Sequence, residues 1–91
     1  MQEYYLRLLK NRACDFIATG EYKEAIKIFR RILNYYDNKD VLLMCYRGAS
    51  LCADRLGNTR MAIRYYKKAL GISRNDLLNH EIKTRIMELK Q

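Results

Sequence analysis

The sequence has no proline, a single histidine, four scattered glycines and three cysteines with no Cys-x-x-Cys spacing. Each shortage removes a class of function. With charged residues at 31% and apolar ones at 49%, a proline-free chain reads as folded and helix-rich, not as a disordered segment. The scattered glycines form no phosphate-cradling loop. His80 has Glu81 beside it, but adjacent helical residues point about 100 degrees apart, so they make no catalytic or metal-binding pair. Cys14, Cys45 and Cys52 lie in apolar helical surroundings and are odd in number, which suggests buried, reduced thiols and neither a disulfide framework nor a zinc site. No cofactor and no enzymatic activity are expected.

Long apolar runs are missing too. The longest, Val41 to Tyr46, has six residues, far below the ~20 that span a bilayer. The start, MQEYYLRLLKNR, lacks the apolar block of a signal peptide. The expectation is a soluble, intracellular and cytoplasmic protein with no membrane insertion.

What is abundant is positive charge. Of the net +8, residues 38–73 supply +5, with seven Lys or Arg against two Asp or Glu. Such an excess attracts nucleic acid, anionic lipid or an acidic peptide. A chain of 91 residues makes one small domain that buries only about 60–65% of its unfolded surface, so a large enclosed active site is not expected.

Apolar residues recur at steps of three and four through successive segments. Leu6, Leu9, Ala13, Phe16 and Ile17 form one stripe, and Tyr22, Ala25, Ile26, Phe29, Ile32, Leu33 and Tyr36 the next. Leu42, Cys45, Ala49, Cys52, Ala53 and Leu56 form a third, then Ala62, Ile63, Tyr66, Ala69 and Leu70. A narrower stripe follows, with Leu78, Ile82, Ile86 and Leu89. No segment alternates as a strand does. Gly20 and Gly57 stand where a helix ends in a left-handed residue; Asn38 or Asp40, and later Asn75 or Asp76, suit N-caps. The pattern predicts five antiparallel helices, about 2–19, 22–36, 40–56, 59–72 and 76–90.

Two of them repeat one design. TGEYKEAIKIFRRIL at 19–33 returns 37 residues later as LGNTRMAIRYYKKAL, keeping Gly, Ala, an aromatic and a small or apolar residue in register. Ala25 and Ala62 let a neighbouring helix approach closely, with Ala13, Ala18, Ala49, Ser50 and Ala53 as small partners, while Phe29 and Tyr66 fill the wider gap.

These paired segments resemble the tetratricopeptide repeat family, with Leu9, Ala13, Phe16 and then Tyr46, Ser50, Ala53 at its first-helix positions. The period of 37 exceeds the family's usual 34, through the loop NYYDNKD, and the customary inter-repeat proline is absent. A three-helix MIT-type domain shares the GEYKEAI flavour but would use it once, so the repeat decides against it.

The resemblance implies an all-α, short right-handed α-solenoid, with repeats over about 6–39 and 40–74 and a capping helix over about 76–90. It implies a non-catalytic adaptor holding a partner's peptide or helix in a concave groove. Carried across, the groove positions are Arg7, Lys10, Cys14 and Ile17, then Met44, Arg47, Leu51 and Asp54, with Arg55 nearby. Basic groups beside Met and Leu suit an acidic peptide with apolar anchors. The family's clamp for chaperone-tail carboxylates is not expected, because Cys14 and Gly48 stand where it places asparagines. Arg60, Arg64, Lys67 and Lys68, with Tyr65 and Tyr66 between them, raise nucleic acid as a weaker alternative; the bland reading is a solvated stripe with Tyr66 in the core. Self-association is another, because Tyr4, Tyr5 and Leu8 have nothing to cover them, so the chain dimerises there or belongs to a longer array.

Overall fold

The computed structural model describes residues 2–91. Five helices follow one another: α1 (Gln2–Ala18), α2 (Tyr22–Tyr35), α3 (Lys39–Arg55), α4 (Thr59–Ile72) and α5 (Asp76–Lys90). The described residues contain no strand. Each helix packs on the next in chain order, and α3 lies between α2 and α4. The result is an all-α stack of helical hairpins with α5 added at one end.

Local chemistry sets the breaks. Gly20 and Gly57 have φ of 78 and 77 degrees, the left-handed region that side chains with a Cβ disfavour. At the first, Glu21 N–H donates to Phe16 O (2.7 Å) and Gly20 N–H to Ile17 O (3.1 Å). At the second, Asn58 N–H donates to Ala53 O (2.9 Å) and Gly57 N–H to Asp54 O (3.0 Å). The same pair of bonds closes both helices, so the repetition in sequence is a repetition of C-cap geometry. The N-cap alternatives also resolve. Asn38 accepts from Asp40 N and Val41 N, and Asn75 from Leu78 N, so the asparagine is the cap in each case.

The small residues do what their spacing suggests. Ala13, Ala25, Ala49, Ser50, Ala53 and Ala62 are all fully buried. Ser50 is not left unpaired, since its hydroxyl donates to Arg47 O at 2.8 Å. The Phe29 ring, 3% exposed, lies flush against the backbone of Gly48, where a Cβ would collide with it. One core runs through α1 to α4; a second joins Ala69 to Ile82 and Ile86 of α5.

Several expectations need correction. Tyr65, not Tyr66, is the core tyrosine of α4: it is buried and stacked on Tyr46 at 6.2 Å, while Tyr66 is half-buried. Ala18, in the last turn of α1, and Leu56, at the C-cap of α3, are exposed. Of the cysteines, Cys45 and Cys52 are buried, as expected, but Cys14 is exposed. Burial pushes the two inner thiols up to about 12 and about 11, so they stay protonated at neutral pH.

Candidate functional site

A cleft of about 580 Å³ opens across α1, α3 and α5. Lys10, Cys14 and Ile17 descend one wall, successive turns of α1. Met44, Arg47, Gly48 and Leu51 form the middle, and Leu78, Glu81, Ile82 and Arg85 the far wall. Phe29 and Tyr66 reach its floor from α2 and α4. Side chains at i, i+3 and i+4 share a helix face, which explains why each wall presents residues of that spacing.

Six of the nine residues carried over by resemblance therefore share this cleft: Lys10, Cys14, Ile17, Met44, Arg47 and Leu51. Arg7, Asp54 and Arg55 do not line it. Arg7 and Arg55 are exposed at the ends of the row. Asp54 has a different task. Its carboxylate accepts from Arg85 at both oxygens (2.7 Å each) and from the Tyr66 hydroxyl (3.0 Å), and its side chain is only 12% exposed. A two-pronged guanidinium–carboxylate bond fixes geometry as well as charge, so Asp54 ties α5 to α3 and α4.

The electrostatics agree with that role. The Arg85 hydrogen bond, with help from Tyr66 and against the effect of burial, holds the Asp54 carboxyl below the usual range. Burial first, and then the bond to Asp54, push Tyr66 up to about 12, so its hydroxyl remains a donor. Arg85 spans from Asp54 to Glu88, at 2.7 and 3.1 Å. Lys10 and Arg47 stand in the cleft without an ion-pair partner among the described residues, and Glu81 is the one acid that lines it.

The contribution of α5 is what sequence reasoning missed. Leu78 and Ile82 were visible as a stripe but were assigned to capping alone; they also extend the apolar lining of the cleft. Among the described residues, no group of His, Cys, Asp and Glu could hold a metal ion, and no helix is long and apolar enough to cross a membrane.

No curated protein and no solved structure is significantly similar to the chain. A family model, by contrast, matches residues 4–75, the hairpins α1/α2 and α3/α4 that build most of the cleft. That family is described as Tetratricopeptide repeat, and the chain belongs to it.

Proposed function

We propose that the chain is a non-catalytic interaction module whose cleft receives an acidic peptide or helix of a partner protein. Repeats of this family mediate protein–protein interaction. The two repeats correspond to about 6–39 and 40–74, with 76–90 as a cap that doubles as the third wall. One observation carries the reading: Lys10 and Arg47, without an ion-pair partner among the described residues, line a cleft together with the apolar Ile17, Met44, Leu51, Leu78 and Ile82, and Glu81 is the one acid in that lining. A ligand with one or two large apolar side chains flanked by carboxylates would satisfy both features. Charge would speed encounter, and burial would slow release.

The test is selection of peptides from a random library on the intact chain, followed by affinity measurements on the Lys10→Glu/Arg47→Glu variant. Selected peptides should be acidic with apolar anchors, and the variant should bind them at least about tenfold more weakly, each charge pair being worth on the order of 1 kcal/mol. Helicity should not change. Equal affinity for the variant would remove the site from the cleft.

A second reading, a self-associating scaffold, is favoured by the opposite edge of the stack. There Tyr5, Leu8 and Phe16 of α1 line a cleft of about 650 Å³ with Ile28 of α2, and Tyr4, Tyr5 and Leu8 are 59%, 43% and 48% exposed. End repeats leave such faces uncovered unless a neighbour packs on them. Light scattering over a range of concentrations decides: a constant monomer mass refutes this reading.

A further inference from the structure

The positive charge is segregated by helix. In α2 there are four cations and one acid, in α4 four cations and none, so two helices hold seven of the chain's eight net positive charges. The cations are Lys23, Lys27, Arg30 and Arg31, then Arg60, Arg64, Lys67 and Lys68, and each of the first four recurs 37 positions later in the second set. All eight are exposed. Taking Phe29 and Tyr66 as the directions that face the cleft, a turn of about 100 degrees per residue places every one of the eight between about 100 and 200 degrees away. They form the outer face, behind the cleft.

In the sequence, the cations of α4 alone raised nucleic acid, as a weaker alternative beside the bland reading of a solvated stripe. The structure joins the two helices through an aromatic pair. Arg30 Nε of α2 donates to the Tyr65 hydroxyl of α4 at 3.1 Å, and Arg64 lies over the same ring at 5.9 Å. Lys68 stands over Tyr46, which stacks on Tyr65. Three cations from two helices are thus held at one place by hydrogen bonding and ring contact, with no carboxylate partner; among the eight, only Lys27 has an ion pair, with Glu24. Holding like charges together is unfavourable until an anion arrives. Guanidinium groups fixed in advance lose less freedom when they meet phosphate oxygens.

The geometry points to this outer face as a sequence-independent docking surface for the phosphate backbone of duplex nucleic acid. Successive cations along each helix lie roughly 5–6 Å apart at Cβ, and a duplex presents about one charge per 1.7 Å of its axis, so a row of cations meets a continuous row of phosphates. Unpaired bases would need rings to stack on, yet among the large apolar side chains that are exposed only Tyr35 belongs to α2 or α4. The same shortage argues against a membrane surface, where apolar insertion must supplement charge.

The test measures binding of the intact chain to a labelled mixed-sequence 20-base-pair duplex by fluorescence anisotropy, over about 50–200 mM salt. With about six phosphates engaged, affinity should fall about a thousandfold across that range. Arg60→Gln/Lys67→Gln, two cations with no structural contact, should weaken binding and flatten the log–log salt slope by about 2, while Lys10→Gln/Arg47→Gln in the cleft leaves both unchanged. A slope shallower than about −2, an equal loss in the cleft variant, competition by polyglutamate as effective as by unlabelled duplex, or binding to phosphatidylserine vesicles in preference to duplex would each overturn the proposal.

Discussion

Gly48 and Gly71 offer one substitution in two settings with opposite expected signs. Both glycines are helical, within α3 and α4. In either, alanine should gain about 0.5–1 kcal/mol from the reduced freedom of the unfolded chain and better helix propensity, somewhat less at Gly71, which lies in the last turn. At Gly71 nothing lies within 4 Å of the new Cβ, so only that gain operates. At Gly48 the Cβ would stand 2.7 and 2.8 Å from Cε2 and Cε1 of Phe29, and nearer still to Cζ. Carbon atoms prefer about 3.5–4.0 Å, so the ring must retreat by roughly an ångström. Phe29 is 3% exposed in a close-packed core, and overpacking of that kind costs about 1–3 kcal/mol. The net expectation for Gly48→Ala centres on destabilisation by about 1 kcal/mol, or a melting temperature about 4–8 °C lower for a domain of this size. Gly71→Ala should melt a few degrees higher. Thermal and urea unfolding followed by circular dichroism provide the measurement. Shortening the ring with Phe29→Leu should make Gly48→Ala less costly than in the wild type, a coupling of at least about 0.5 kcal/mol. If Gly48→Ala is as stable as the wild type, or the two variants shift in the same direction, the close approach of α3 to Phe29 is wrong.

Asp54→Asn should release α5, seen as faster amide exchange in 76–90 than in α1 and α2; uniform exchange would mean that the ion pair to Arg85 is not what holds the helix. The pH dependence has a definite sign. Because the folded-state pKa of Asp54 is lowered, its contribution is present above the unfolded carboxylate pKa of about 3.9 and is lost as pH falls through the folded value. The stability gap between wild type and Asp54→Asn should therefore be constant near neutrality and close on acidification below about pH 4; a gap unchanged at pH 2 would refute the assignment. A thiol reagent should modify Cys14 alone in the native chain and all three cysteines in denaturant, because Cys45 and Cys52 are fully buried. Rapid native labelling of more than one would contradict the packing of α3.

Much of this architecture was legible because it is periodic. The stripes, the paired glycines and the in-register alanines each report a local rule, and helix ends moved by no more than a residue between expectation and structure. Where periodicity ran out, so did the reading. Tyr65 and Tyr66 are neighbours about 100 degrees apart, and only the stacking partner Tyr46 decides which turns inward. Cys14 sits at the margin of the first stripe, between buried Ala13 and the cleft. The bond from Arg85 to Asp54 joins residues 31 positions apart in units that do not repeat each other, so no internal pattern announces it. Its consequence is considerable, because it removes Asp54 from the ligand-facing set and makes α5 a wall.

Charge shows how a total can mislead. Divided by stretches of chain, the excess belonged to residues 38–73, which combine an inner helix with an outer one. Divided by helix, α1, α3 and α5 together hold nine cations and seven acids, so the cleft side is close to balanced and the outer face carries nearly all the excess. Exposed charge is screened within about 8–10 Å at ordinary ionic strength, whereas apolar burial is indifferent to it. A ligand held in the cleft by Met44, Leu51 and Ile82 should therefore lose little affinity as salt rises, and a polyanion on the outer face should lose most of it. One salt titration on each of two ligands separates the two surfaces, and a chain able to occupy both at once would bring an acidic protein segment to nucleic acid with the thickness of one helical layer between them.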